Sequence, residues 1–377
     1  MKQSNDMRVE QDILQQIDML GNELLDQIVR LVQIDSTEQE AASDAPFGPG
    51  VREALDHTLA LADSLGFETV DVDHYLGYAS YRAPTCTEEG YICAMGHLDV
   101  VPAGIGWKQP PFSGWRQDGV IYSRGVLDNK GPILSCLYAL YALKQLKLPL
   151  KREVRIIFGC DEETGFEDLK HYLRCEQPPV MGFTPDCKYP VVYAERGRAI
   201  VEIVTDGQEH LFELMNQYIL NAKNNGERLG IAFQDDEFGM LEVRNYALKQ
   251  TADGPAVRFS ISYPAGCTVE ELMERLRHTL PQDQVRLISN FDPVRFDKEC
   301  RLVDTLRYTY EQVTGKDGSP VTTTGGTYAK LMPNIVPFGP SFPGQKGIGH
   351  QPNEWMAESD ILTNAKIYAL SLYYLAL

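Results

Sequence analysis

Ile13, Ile17, Leu20, Leu24, Ile28 and Leu31 recur at helical spacing and place one apolar stripe on an amphipathic helix. A second stripe, Val51, Leu55, Leu59, Ala62 and Leu65, stops at Gly66, and the Pro/Gly-rich stretch Ala45 to Gly50 between them reads as a loop. The pattern then changes. Tyr91 to Val101 is a short apolar strand that ends at Pro102, and Ala103 to Gly119 is too rich in Gly, Pro and Trp for regular structure, so it reads as a surface loop near a site. Val120 to Tyr122 predicts a short strand. Gly131-Pro132 opens a helix through Leu134, Leu137, Tyr138, Tyr141 and Leu146, with proline in the first turn, where no partner exists for its missing N–H. Glu153 to Cys160 predicts a buried strand, Glu167 to Arg174 a short helix, and Pro190 to Ala194 a strand. This alternation implies an α/β layer with a largely parallel sheet, whose strand C-termini gather at one edge.

From Arg198 the order becomes strand (to Thr205), helix (Phe212 to Ala222), three strands (Leu229 to Phe233, Met240 to Leu248, Ala256 to Tyr263), helix (Val269, Leu272, Leu276) and strand (Gln284 to Ser289). That is about one ferredoxin-like α+β unit. Residues 197–293 therefore read as an inserted domain, and residues 1–196 and 294–377 as the domain that it interrupts. Helices at Asp304 to Val313 and Asp360 to Leu375 close the chain.

Composition narrows the partners. With 43% hydrophobic and 23% charged residues the 377-residue chain is an ordinary globular protein, long enough for two domains. A net charge of −18 argues against a nucleic-acid partner. The polar start from Met1 to Glu10 has no signal-peptide character, and no apolar run is long enough for a membrane span. The eight cysteines are scattered without a Cys-x-x-Cys pair, which points to reduced thiols and a cytoplasmic location.

Four strings carry candidate chemistry: Gly96-His97-Leu98-Asp99, Gly125-Val126-Leu127-Asp128, Asp161-Glu162-Glu163-Thr164-Gly165 and Thr184-Pro185-Asp186, each at the end of a strand-like run, with a late Gly349-His350. A pair of divalent cations needs a bridging carboxylate, imidazole and carboxylate ligands, and an unligated base. His97 ends a strand, and Asp99, two residues on, lies on the same face and can hold it. Asp128 stands just before a helix and is the natural bridge. In a turn, the adjacent Glu162 and Glu163 can point differently, one to metal and one to water. Asp186 and His350 complete the sets.

These strings, with Gly106-Trp107, Pro110-Pro111-Phe112 and Arg124-Gly125-Val126-Leu127-Asp128-Asn129-Lys130-Gly131-Pro132, resemble the metallopeptidase family of acetylornithine deacetylase, succinyl-diaminopimelate desuccinylase and carboxypeptidase G, and most of all its dipeptidase V branch. The resemblance is dense over about residues 90–200, good over 320–377 and thin across the insertion. It implies a zinc-peptidase-like α/β domain, with a mostly parallel mixed sheet flanked by helices, plus a ferredoxin-like lid. It also implies roles. His97 and Asp186 would bind one metal, Glu163 and His350 the other, and Asp128 would bridge. Glu162 would be the general base and Asp99 would orient His97, and the Asp128-Asn129 peptide would be cis. Two divalent ions are expected, zinc first, with manganese or cobalt as alternatives.

The chain departs from the family pattern twice. Gly325-Gly326-Thr327-Tyr328-Ala329-Lys330 ends in lysine where the family has an arginine that grips the substrate carboxylate, so Lys330 keeps the charge but loses the bidentate fork. Between Arg198 and Gly239 the only histidine is His210, without the His-Gly-x-x-Pro-like context of the family's oxyanion-stabilising lid histidine. The expected activity is hydrolysis of short peptides, as a dipeptidase. The alternatives are an N-acyl amino acid deacylase and a weakened member that only binds metal and amino-acid-like ligands. The short lid suits a homodimer, with a monomer as the other option.

Overall fold

The computed structural model describes residues 2–377, with side chains from Met7 onward. The chain begins with helices α1 (Lys2–Val32) and α2 (Pro49–Ser64), which bury the stripes read from the sequence except for Leu59, which is half-buried. Strands β1 (Glu68–Val72) and β2 (Leu76–Tyr81) then form an antiparallel hairpin. The apolar pattern did not announce it. β1 buries only Val72, and β2 carries Gly77 and Ala79, residues with weak strand preference. Strand β3 (Tyr91–His97), helix α3 (Lys130–Gln145), strand β4 (Glu153–Gly159), helix α4 (Glu167–Cys175) and strand β5 (Met181–Thr184) follow. Helix α3 is buried almost all round, as its apolar sequence demands, and packs on β3, β4 and α1.

One compact unit of the chain comprises Tyr193–Phe296 with Val321–Gly326. Its main elements are β6 (Gly197–Val204), α5 (Gln208–Leu214), β7 (Glu242–Thr251), β8 (Gly254–Tyr263), α6 (Val269–Thr279) and β9 (Gln284–Phe291). The four strands are antiparallel in the order β7-β8-β6-β9, the ferredoxin-like arrangement. Helix α6 starts at a capping box: Thr268 Oγ1 accepts from the Glu271 N–H, and the Glu271 carboxylate accepts from the Thr268 N–H. The expected strand at Leu229 to Phe233 does not form. Gly226 and Gly230 adopt φ of 71° and 73° and turn the chain there, although Leu229 and Ile231 still enter the core. The helix expected at 212–222 begins earlier, at Gln208, and passes into a π-helical turn at Met215–Ile219. The unit's boundaries also differ slightly from 197–293, because Val294–Arg295 and Val321–Thr323 flank the strand Val192–Glu195 in a small sheet.

The larger unit resumes with α7 (Arg301–Thr314), β10 (Ile335–Pro337) and α8 (Glu358–Leu375). Its central sheet has the order β1-β2-β4-β3-β5-β10. β4, β3, β5 and β10 run parallel, and only β2 is reversed against its neighbours. The C-terminal ends of β3, β4 and β5 consequently meet at one edge, with His97 opposite Gly159 and Thr184 just beyond the β3–β5 pairing. Among the described residues no helix is long and apolar enough to cross a membrane.

Candidate metal centre

Every sequence-nominated metal ligand lies in the larger unit, and five short segments bring them together. His97 is the last residue of β3 and is fully buried. Its Nδ1 lies 2.8 Å from the backbone carbonyl of Asp99 and 3.3 Å from the Asp99 carboxylate. A carbonyl can only accept, so Nδ1 carries hydrogen and Nε2 is left facing the cluster. Nε2 lies 3.2 Å from Asp128 Oδ1 and 3.8 Å from Asp186 Oδ2. On the other side of Asp128, Oδ2 lies 3.1 Å from His350 Nε2, which is itself 2.8 Å from Glu163 Oε1. Asp128 thus offers one oxygen toward each histidine.

Two donor sets emerge, each with its ligand atoms within 4.8 Å of one another: His97, Glu162 and Asp186; and His97, Asp128 and Glu163. They supply imidazole nitrogen and carboxylate oxygen, a mixture that suits Zn, Mn or Co. The electrostatics fit a cation as well. Four carboxylates share two imidazoles in a largely buried space. Burial, then the charge of Asp186, pushes Glu162 well above the usual carboxylate range, and burial followed by Asp128 does the same to Asp186. Burial opposes a charge on His97, but the Asp99, Asp128 and Asp186 carboxylates outweigh it and hold its pKa well above the ordinary value. His350, hydrogen-bonded to Asp128 and Glu163, is pushed up to about 10. Such a cluster lacks enough positive charge of its own, and divalent ions would provide it.

Asp99 does more than the sequence indicated. Its carboxylate also accepts the backbone N–H groups of Glu162 (3.3 Å) and Glu163 (3.0 Å). One side chain therefore sets both the imidazole and the turn that carries the two glutamates. Asp161, first in that string, points away from the donor sets. It accepts from the Glu167 N–H (2.8 Å) and from Thr164 Oγ1, and so shapes the turn.

Four residues escaped the sequence reading. Asn129 follows the cis Asp128-Asn129 peptide, accepts from the His97 N–H (3.3 Å) and donates to the Pro185 carbonyl (2.6 Å), so it ties three ligand segments together. It also explains Gly96, where a Cβ would fall 2.2 Å from Asn129 Oδ1. Glu354 is buried. Its Oε1 accepts from Leu127 (2.9 Å) and Asp128 (3.1 Å) N–H groups, and its Oε2 pairs with buried Arg124 at 2.7 Å. Lys130, also buried, donates to the carbonyls of Leu31 (3.3 Å) and Ile34 (2.7 Å) at the end of α1. Burial lowers its pKa to about 7. The sequence string contained Arg124 and Lys130 but gave no sign of their partners, which are distant in the chain.

Lys330 lies half-buried in the short 3₁₀ turn Tyr328–Lys330. Tyr328 in that turn meets the His97 ring edge-on at 6.5 Å, and its hydroxyl bonds to Asp168. A cavity of about 210 Å³ opens beside Asp128 and Asp186, bordered also by Cys187, Ser341, Gln345 and Lys346. In the smaller unit, His210 Nδ1 pairs with Asp206 at 2.9 Å.

The pattern of the peptidase family M20/M25/M40 matches residues 93–373, a span that holds every one of these candidate ligands. The chain belongs to that family. It is a metal-dependent peptidase. Among its relatives, a putative dipeptidase of Staphylococcus epidermidis is 26% identical over 460 aligned positions, covering 94% of this chain and 97% of the relative. The putative dipeptidase YtjP of Bacillus subtilis is 26% identical over 438 positions, covering 90% and 94%. Both alignments are longer than the 377-residue chain, so these relatives carry segments that it lacks. Human carnosine dipeptidase 1 superposes with a TM-score of 0.77 at 16% identity, covering 98% of this chain and 99% of that one. The YXEP protein of Bacillus subtilis, described as a dinuclear metal-binding peptidase of the M20 family, gives 0.61 at 14% identity, covering 95% and 99%. At these identities the superpositions establish the M20 fold.

Proposed function

We propose that this M20 peptidase is a dipeptidase in which His97, Asp128, Glu163, Asp186 and His350 hold two divalent cations and Glu162 is the general base. The observation that carries the two-cation reading is the placement of Asp128, with Oδ1 3.2 Å from one imidazole and Oδ2 3.1 Å from the other. When bound, such ions polarise a carbonyl and lower the pKa of water. Glu162, adjacent to His97 and Asp186, takes a proton from the water molecule. The water oxygen bonds to the amide carbon, the C–N bond breaks, and the same proton passes from Glu162 to the departing amine. Asp99 holds the imidazole and the Glu162 turn through these steps. Lys330 is assigned to the substrate carboxylate.

Zinc is the first choice of ion, with manganese or cobalt compatible with the same ligands. That relatives are named putative dipeptidases supports short peptides, rather than N-acyl amino acids, as the substrate of this chain. A panel of dipeptides, tripeptides and N-acetyl amino acids, run with the Zn-, Mn- and Co-loaded protein, tests this. Dipeptides are expected to turn over fastest. Preference for N-acetyl amino acids would replace the reading with a deacylase, and ligand binding without any turnover would replace it with a binding protein.

A further inference from the structure

A second convergence of metal-type donors lies on the larger unit and shares no residue with the catalytic cluster. His171 and Cys175 stand at i and i+4 on α4 and therefore on one helix face. Asp73 reaches them from the β1–β2 turn, where it and His74 adopt φ of 53° and 64°. His171 Nε2 lies 2.9 Å from Asp73 Oδ2 and 3.7 Å from Cys175 Sγ, and the three donor atoms fall within 4.8 Å of one another. Tyr75 stacks on the imidazole at a centroid distance of 4.3 Å and fixes the plane of the ring.

The direction of these contacts decides what they can do. A thiol–imidazole–carboxylate relay uses opposite ring nitrogens for the thiol and the acid. Here both partners face the same nitrogen, so the arrangement is not that of an activated nucleophile. One N–H shared between the two makes at best a weak three-centre bond, whereas a cation at their centre would bind all three donor atoms. Tetrahedral zinc with bonds of about 2.0–2.3 Å requires an N–S edge of roughly 3.6 Å and an N–O edge of roughly 3.4 Å. The N–S edge is already present at 3.7 Å. The N–O edge needs only a small outward movement of Asp73, whose side chain is 73% exposed and free to make it. Arg174, now 3.3 Å from His171 Nδ1, is exposed and can swing away when that nitrogen takes up hydrogen.

We propose that Asp73, His171 and Cys175 form a separate site for a borderline divalent cation of the zinc type, with water in the fourth position. One sulfur, one nitrogen and one oxygen select against magnesium and calcium. On binding, the Cys175 thiol proton leaves to solvent, and the His171 hydrogen moves from Nε2 to Nδ1 by exchange with water, so the imidazole stays neutral and the ion takes the place on Nε2. The bound ion pins the C-terminal end of α4 to the β1–β2 turn. The other end of α4 carries Asp168, which accepts the Cys160 (2.7 Å) and Asp161 (3.2 Å) N–H groups next to the catalytic glutamates.

The test uses the full chain with its catalytic cluster first loaded with manganese. Zinc is then added, and the alkylation rate of Cys175 by iodoacetamide is followed by peptide mapping. Zinc is expected to slow Cys175 more than tenfold, and His171→Gln to abolish the slowing. Cobalt added to the same protein is expected to give a sulfur-to-metal charge-transfer absorption that is lost in Cys175→Ser. The absorption should survive Cys187→Ser, since Cys187 borders the catalytic cavity. An unchanged Cys175 rate at saturating zinc overturns the proposal. So does slowing that persists in His171→Gln, or a cobalt absorption that follows Cys187.

Discussion

His97 and His350 approach the same carboxylate from opposite sides, but the protein supports them very differently. His97 is 0% exposed at the end of a central strand, with Nδ1 held by Asp99 and its own N–H held by Asn129. His350 is 49% exposed, in a loop where its φ is 61°. The inner half of the centre is organised by the sheet before any ion arrives. The outer half depends on a loop that must be ordered at some entropic cost. Two cations bound here should therefore differ in affinity, with the inner one held more tightly.

Removing the histidines gives the largest expected contrast. His97→Ala should leave almost no cation after dialysis, because it removes a ligand of the tightly held inner ion and the outer ion is held weakly, whereas His350→Ala should leave close to one cation per chain; metal analysis reads this directly. Equal loss in both variants would break the asymmetry. Next, Glu162→Gln should lower kcat by about 10²–10⁴-fold with both ions retained. Loss of an ion in that variant would instead make Glu162 a ligand.

Glu354→Ala should cost about 3–5 kcal/mol in denaturant unfolding, because it strands the buried Arg124 charge. Replacing both Arg124 and Glu354 by methionine should recover much of that stability but not metal affinity, because the Leu127 and Asp128 N–H groups would still lack their acceptor. Recovery of both would make the pair merely structural. The smallest effect is expected from Asp99→Asn, a roughly 10–100-fold fall in metal affinity, felt most by the inner ion. A uniform effect on the two ions would show that Asp99 acts chiefly through the Glu162–Glu163 turn.

Candidate ligands His97, Glu163 and Asp186 were legible because each lies at or just beyond the end of an apolar strand, and a parallel sheet brings such ends together regardless of how far apart they are in the chain; Asp128 and His350 lie in turns and were read from their motifs. Their supports were not. Asn129, Glu354 and Lys130 act through contacts with Pro185, Arg124 and the end of α1, and no periodicity encodes a buried polar partner. The fold shows the same divide. Periodic helices such as α1 and α2 were read correctly, while β1 and β2 have too little apolar contrast to stand out. The stretch Leu229 to Phe233 was apolar enough for a strand, but the φ that Gly230 adopts decided the matter. Asp99 was read for one task and has two, since backbone N–H groups leave no mark on a side-chain pattern.

The Lys130 ammonium makes the amino-terminal helix part of the active-site scaffold. The family pattern begins only at residue 93, yet Lys130, two positions past Asp128, finds its acceptors at Leu31 and Ile34. A fragment trimmed to the matched segment would lose both acceptors and the helix that covers Lys130, immediately beside the backbone that sets the shared carboxylate.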